Sequence, residues 1–331
     1  MSLPYIWRLS FLCCSAFFLI HALAGLVLRM FTPAAVRWAC QMSSRGAARF
    51  LFAMRMLPVG IATVFVAGLC VPSYLEFEPG ATREEVGFIF VFAALLGISI
   101  AVYGIVSAVG ASVATFRFVR DCRKSGHEIR LPFETAPVLV IEGKEPILAI
   151  AGSIRQRIIV SRGVLNALSN EQLEAAILHE TAHRKCADNL KRLFLLLAPP
   201  ILPLSQMFRG LEHAWVKFSE FAADDRAVGD SAQRSLTLAS ALVRVARMGT
   251  SRRLSPLCTA LVSNHSDCSQ EELYLRVDRL LRPSPVPRGS RRKVQVVSWV
   301  AAMVTAVFAA SLLFLPSTLH FVHDLLERLT H

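Results

Sequence analysis

Residues 169–183 read SNEQLEAAILHETAH. Ser169 with Gln172 makes an S-x-x-Q capping box that opens a helix, and Leu173, Ala176 and Ile177 give that helix an apolar face. The same helix then carries His179-Glu180-Thr181-Ala182-His183. Histidines four residues apart stand about 40° apart around an α-helix, so both imidazoles can reach one ion. Glu180, turned about 100° from His179, can address a water beside that ion. Two histidines and a carboxylate form a frequent catalytic zinc set that leaves a position open for water. In that chemistry the ion lowers the water's pKa toward about 7, Glu180 takes the proton, and a polarised peptide carbonyl is attacked. On these five residues alone, the competing reading is a pair of surface histidines on an ordinary helix.

A second element weighs against that competing reading. Glu220-Phe221-Ala222-Ala223-Asp224 falls in a helix expected over 211–228, which puts two carboxylates one turn apart on the same side. Glu220 is the candidate third ligand. Asp224 is the candidate acceptor for the free ring N–H of a ligating histidine, the contact that fixes tautomer and ring orientation. Glu212, His213 and Asp225 compete for the ligand role, but only Glu220 has an acidic partner at i+4. Arg226 is a candidate oxyanion stabiliser, although an ordinary ion pair is the commoner use of such an arginine.

Outward from this site the chain turns apolar. It is 54% hydrophobic and 18% charged, against about 25% charged in an ordinary soluble domain. Four runs without Asp, Glu, Lys or Arg account for the deficit: 9–28, 56–75, 86–116 and 294–315. Each is long enough to cross a bilayer as a helix. A purely soluble globule, a disordered chain and a small disulfide scaffold are excluded, and the eight scattered cysteines include no C-x-x-C pair. The expected organisation is three transmembrane helices in 1–116, a polar domain over 117–293, and a fourth transmembrane helix with a short tail over 294–331. The run 9–28 is read as a retained anchor, because it exceeds a typical signal-peptide core and has no small-residue cleavage site before Arg29.

Charge sets the expected sidedness. The first loop carries Arg29, Arg37, Arg45, Arg49 and Arg55 without an acid, whereas the second carries Glu76, Glu78, Glu84 and Glu85 against Arg83. Lys and Arg are retained on the cytoplasmic side, so the polar domain is expected inside and both termini outside. The net charge of +12 follows largely from this arrangement and from contact with anionic lipid, and does not by itself point to nucleic acid. No charged residue within the four runs marks an ion path. The small residues Gly97, Ala101, Gly104, Ala108 and Ser112 predict close helix packing on the third run.

Within the polar domain, 138–141, 147–151 and 157–161 read as strands of a small antiparallel sheet. Leu236, Ala239, Leu242, Val243 and Ala246 recur at helical spacing, and Ser269 with Glu272 makes a second capping box for a helix ending at Leu281. Both helices read as scaffold. The apolar segment 193–208 contains Pro199, Pro200 and Pro203. If His179, His183 and Glu220 share an ion, the two ends of this segment lie on one side of the membrane. It is therefore read as a re-entrant or membrane-surface hairpin, with burial in the polar domain as the alternative. The proline-rich stretch 283–287 reads as a stiff tether.

His179-Glu180-x-x-His183, the following Asp188-Asn189-Leu190 and the Glu220-x-x-Ala223-Asp224 pattern resemble the membrane-bound gluzincin metallopeptidases. The similarity points to the BlaR/MecR-type antirepressor peptidases and their HtpX-type relatives; it covers 139–282 and the order of the spans. It implies a predominantly α, polytopic membrane protein with four transmembrane helices plus a cytoplasmic α+β gluzincin metalloprotease domain with a small antiparallel sheet. The implied activity is that of a zinc-dependent endopeptidase of the cytoplasmic (inner) membrane. In it His179, His183 and Glu220 hold Zn2+, Glu180 is general base and acid, and Asp224 orients a ligand.

The implied partners are a protein or peptide substrate, such as a transcriptional repressor or a membrane protein, and the lipid bilayer. Oligomers are compatible with the resemblance; direct nucleic-acid binding is not expected. The family pattern also implies that the strand at 147–151 is an edge able to pair with an extended substrate. Antibiotic-sensing members carry a large extracellular penicillin-binding domain after the fourth span, for which 316–331 is too short. Any signal is therefore expected to enter through the bundle, the outer loops or a partner, in regulatory proteolysis or membrane protein quality control. The alternative is a non-proteolytic membrane signal transducer with a structural zinc site.

Overall fold

The computed structural model describes residues 5–77, 88–134, 136–143, 145–201, 208–249, 256–261 and 269–282. The run at 294–315 and the tether at 283–287 lie outside the described residues, as does the Ser269 side chain of the second capping box. Runs without charge build long helices. The first, α1, spans Tyr5–Cys40. Ser43 then caps α2, Ser44–Phe65, by accepting the Gly46 N–H. A π-helical turn, Val66–Cys70, leads into α3, Val71–Phe77, and α4 spans Phe88–Ser125. The segments Ile6–Cys40, Ser44–Glu76 and Phe88–Ser125 are long and apolar enough to cross a membrane. Leu23, Phe31, Val64, Phe92 and Val106 project outward, the arrangement expected where the surrounding solvent is hydrocarbon.

These helices extend beyond the apolar runs, so the first-loop arginines are helical. Arg29 and Arg37 belong to α1, and Arg45, Arg49 and Arg55 to α2. Arg55 is 1% exposed. Its Nε donates to Glu212 at 2.8 Å, its Nη2 donates to the Ala198 carbonyl at 2.8 Å, and its guanidinium lies over the Phe208 ring.

Helix α4 passes directly into β1, Gly126–Ile129. Strands β2, Val138–Ile141, β3, Leu148–Ala151, and β4, Arg157–Ser161, form where the spacing predicts, and β5, Cys258–Ala260, joins them. The order is β1-β2-β4-β3-β5. Strands β3 and β4 form an antiparallel hairpin, with Ile150 opposite Ile158, while β2 pairs in parallel with β4, Val140 opposite Val160. The sheet is therefore mixed rather than antiparallel. The connection after β2 carries the chain past the position β4 will take, so β3 returns on the far side of β4 and leaves β2 and β4 running the same way.

Strand β3 is also not an edge. β5 pairs with it, Ala149 opposite Ala260, and the Leu261 N–H donates to the Leu148 carbonyl at 3.1 Å. All four residues of β3 are buried, the pattern of an interior strand covered on both faces. The main-chain groups that the family pattern assigns to a substrate are thus paired with β5.

The remaining helices are α5, Arg162–Ala167; α6, Asn170–Cys186; α7, Asp188–Leu197; α8, Arg209–Val228; α9, Ala232–Arg247; and α10, Ser269–Leu281. One core packs Val140, Ile150 and Ile158 of the sheet against Ile177 of α6 and Leu238 and Leu242 of α9; Leu236 is exposed. A second core packs Leu211, Trp215 and Phe218 of α8 against Leu28 of α1 and Ala47 and Leu51 of α2. Ala227 and Val228, at the other end of α8, enter the first core. A single helix is thus shared between the apolar bundle and the polar domain.

The small-residue stripe of α4 is a packing seam with two neighbours. A Cβ on Gly97 would lie 2.5 Å from the Cys14 carbonyl oxygen of α1, and one on Gly104 would lie 2.9 Å from the Leu197 carbonyl oxygen and from Pro199. Ala108 and Ala111 continue the buried side, while Ala101 is exposed. Gly104→Ala is predicted to destabilise the protein by about 1–3 kcal/mol, the usual range for overpacking. Gly110→Ala, with nothing within 4 Å of the added Cβ, should be neutral or stabilising. Paired melting curves of the two variants in detergent test the seam, and equal melting temperatures would refute it.

Candidate metal centre

The capping box that opens α6 is formed in both directions: Ser169 accepts the Gln172 N–H and Gln172 Oε1 accepts the Ser169 N–H. Burial of Leu173, Ala176 and Ile177 against the sheet then sets which side of the helix faces inward. His179, Glu180 and His183 arrive on α6 at no more than 1% exposure. Helix α8 crosses α6 and supplies Glu220 and Asp224.

His179 Nε2 and His183 Nε2 face each other across 3.2 Å. Glu220 Oε2 lies 3.4 Å from the first and Glu220 Oε1 3.5 Å from the second. Two donors about 2.1 Å from one tetrahedral ion stand about 3.4 Å apart, so this triangle matches one face of a tetrahedral ligand set. Among the described residues, these three form the one group of His, Cys, Asp or Glu that could hold a metal ion. The other candidates are engaged elsewhere. Glu212 pairs with Arg55, Asp225 pairs with Arg279, and His213 is exposed. Arg226 reaches Cys186 Sγ at 3.5 Å, so it takes no part in the triangle.

Each histidine has its own carboxylate behind it. Asp224 Oδ1 lies 2.9 Å from His179 Nδ1, as the i+4 pattern predicts. Asp188 Oδ2 lies 2.8 Å from His183 Nδ1, a contact the spacing did not reveal because a helix break intervenes. Ala187, between α6 and α7, adopts the left-handed conformation at φ 55°. That conformation costs an L-residue roughly 1 kcal/mol, and it turns the chain so that Asp188 folds back onto His183. Asn189, the next residue, donates to the Ile150 and Gly152 carbonyls and ties the turn to β3. Lys191 Nζ holds the second oxygen of Asp188 at 2.7 Å.

A third contribution comes from α10, which reads as scaffold in the sequence. Arg276 donates to both oxygens of Asp224, at 2.9 and 2.7 Å, and to the Leu261 carbonyl at 2.9 Å. Its Nη1 lies 3.0 Å from Glu220 Oε2. A buried guanidinium cannot shed its proton, so it must be paired. The residues that pair it are Glu220, a candidate ligand, and Asp224, the carboxylate behind the candidate ligand His179. Only an arginine at helical spacing from the buried Leu280 hints at this in the sequence.

The electrostatics fit a cation. Burial alone would lower both imidazoles, but Asp224 and Glu220 raise His179, and Glu220 with Asp188 raises His183 to about 10. Asp224, despite burial, is held at about 2 by Arg276 and His179, and Glu220 is held well below the carboxylate range by His183 and Arg276. The pocket thus draws positive charge onto nitrogens aimed at its centre, and a divalent ion would replace it there. Glu180 behaves differently. Burial raises it to about 7, and neither of its oxygens has a hydrogen-bond partner among the described residues. A buried carboxyl with free lone pairs and a pKa near neutrality is suited to exchange a proton.

A further brace holds the motif helix. Glu134, in the loop before β2, accepts hydrogen bonds from Thr181 within the motif, from Arg184 at 2.7 Å and from the Ala136 N–H at 3.1 Å. Burial opposes its ionisation, but these bonds outweigh the penalty and hold it at about 2, down from 4.5. A carboxylate with a depressed pKa contributes stability above its unfolded value and loses it as pH falls through the folded value. The melting-temperature gap between wild type and Glu134→Gln should therefore be constant above about pH 4.5 and close toward pH 2. A gap that is unchanged across this window would refute the brace.

Asp188→Asn and Asp224→Asn should each lower metal affinity about 10–100-fold while leaving the three ligands in place. Competition with a chromogenic chelator measures this, and unchanged affinity in both variants would show that neither carboxylate orients its histidine.

A search of curated proteins finds no match to the chain. Residues 120–255, which contain the histidines, Glu180, Glu220 and both supporting carboxylates but not Arg276, match the model of peptidase family M48. That match, with the geometry of the three ligands, supports a metallopeptidase whose polar domain is attached to apolar helices long enough to cross a membrane.

Proposed function

We propose that the protein is a zinc-dependent endopeptidase of the cytoplasmic membrane that cleaves protein substrates at the bilayer surface. The observation that carries this reading is the combination of a three-ligand triangle with an unpaired, fully buried Glu180 beside it. His179, His183 and Glu220 would hold the ion, which lowers the pKa of a coordinated water and polarises a peptide carbonyl. Glu180 takes the proton as water adds to the carbonyl and passes it to the leaving amine. Asp188, Asp224 and Arg276 keep the imidazoles and Glu220 in place while this happens. A purely structural site has no use for a buried carboxyl held near neutrality, which is why the peptidase reading is preferred over a non-proteolytic signal transducer.

In the proposed topology the polar domain is cytoplasmic, four spans are present and both termini lie outside. The basic residues Arg117, Arg120, Arg123 and Lys124, at the domain end of α4, support that sidedness. The segment 193–208, of which 202–207 lie outside the described residues, is proposed to be re-entrant. In support, α7 packs against Gly104 within the span of α4, while Phe194 and Leu197 remain exposed. Such a hairpin would keep the metal close to the bilayer, which suits a substrate that is a membrane protein or is recruited to the membrane. By resemblance to the BlaR/MecR and HtpX types, the role is regulatory proteolysis or membrane protein quality control.

The test is Glu180→Gln in the full chain. The variant should keep bound zinc and a native melting transition but lose cleavage by about 10²–10⁴-fold, the usual contribution of a general base. Membrane proteomes of cells carrying each form should differ in the abundance of intact substrate. Identical proteomes together with wild-type signalling by Glu180→Gln would favour the transducer.

A further inference from the structure

Between α2, α6, α7 and α8, on the other side of Asp188 from the histidines, lies a cavity of about 230 Å³. Four cations line it: Arg45 and Arg49, one turn apart on α2, Lys185 at the end of α6, and Lys191 on α7. The one acid in its wall, Asp188, is already matched by His183 and Lys191. Among the described residues, no carboxylate pairs with Arg45, Arg49 or Lys185. Ser219 of α8 also lines the cavity; it is 6% exposed, and its hydroxyl has no hydrogen-bond partner among the described residues. The three cations are exposed to solvent, and together with the buried hydroxyl donor beneath them they offer an anion with several acceptor oxygens charge and a hydrogen bond from one side of the cavity. At about 30 Å³ per water, the space accommodates a phosphate with several waters. Ala48 and Ala222 keep the gap open where α2 passes α8.

Position selects the source of that phosphate. Arg45 and Arg49 occupy the first turns of Ser44–Glu76, a segment apolar enough to cross a membrane, so the cavity sits at the membrane-surface end of that helix. We infer that the cavity binds the headgroup phosphate of an acidic phospholipid. Arg45, Arg49 and Lys185 supply the charge and Ser219 a hydrogen bond, while Lys191 bridges the phosphate to Asp188. Because Asp188 also orients His183, the lipid and the metal centre share a wall.

Native mass spectrometry of the delipidated full chain, titrated with dioleoyl phosphatidylglycerol or with phosphatidylcholine of the same chains, tests this. Phosphatidylglycerol should be retained in preference. Each cation removed should weaken its retention about 5-fold, so Lys185→Gln should lose about 5-fold and the Arg45→Gln/Arg49→Gln double variant about 25-fold. A double variant with the same loss of charge outside the cavity, Arg29→Gln/Arg37→Gln, should retain the lipid as wild type does. Equal retention of the two lipids, or equal loss in both double variants, would overturn the proposal in favour of diffuse surface attraction. Millimolar inorganic phosphate that displaces phosphatidylglycerol completely would also overturn it, assigning the cavity to a soluble phosphate.

Discussion

Helix α8 is held at both ends by arginines that have been taken out of water. Near its start, Glu212 receives Arg55 from inside α2; nearer its end, Asp224 stands behind His179 and is gripped by Arg276. Breaking a buried pair by moving one partner leaves the other uncompensated, at a cost of several kcal/mol. The helix is therefore fixed to the membrane bundle and to the motif helix together. Its apolar residues divide the same way, with Trp215 and Phe218 in the bundle core and Ala227 and Val228 in the domain core. Glu220 lies between the two sets.

The candidate metal centre is assembled from four separate stretches of chain, and each enters for an electrostatic reason. The two imidazoles are fully buried, so the nitrogens that face away from each other need carboxylates beside them; Asp188 and Asp224 stand there. Buried carboxylates in turn need cations, and Lys191 and Arg276 supply them. Arg276 also sends a hydrogen bond to Leu261, which follows β5, and thereby links the sheet edge to the site. Glu180 is the exception to this pattern, with neither oxygen paired among the described residues. That is the environment in which the proposed proton transfer would take place, and its neighbours are the ones that keep it there.

Features written in local spacing were legible in the sequence. The capping box at Ser169 and Gln172, the two histidines at i and i+4, and the Glu220 and Asp224 pair all lie within one or two turns of a helix, where spacing alone determines direction. Strands 138–141 and 157–161 were legible as short β-branched runs, and 147–151 was legible but for one residue. Their pairing was not, because a parallel contact between β2 and β4 depends on where an intervening strand finds room. The three residues of β5 carry no periodic signal, so the covering of β3 could not be read from them. The buried Arg55 was hidden by its position beside an apolar run, where an arginine ordinarily marks a membrane boundary rather than a partner within the fold.

The sequence by itself determined that long apolar helices accompany a polar domain, and that this domain carries two histidines and two carboxylates on faces able to converge. Both conclusions rest on composition and on helical geometry, which act over a few residues and need no partner. Only the tertiary structure decided which carboxylate stands behind which histidine, that an arginine from α10 completes the set, and that α8 joins the bundle to the site. Those contacts connect residues far apart in the chain, Arg55 and Glu212 among them at 157 positions. Their stability comes from burial and charge compensation, which exist only once the elements have packed.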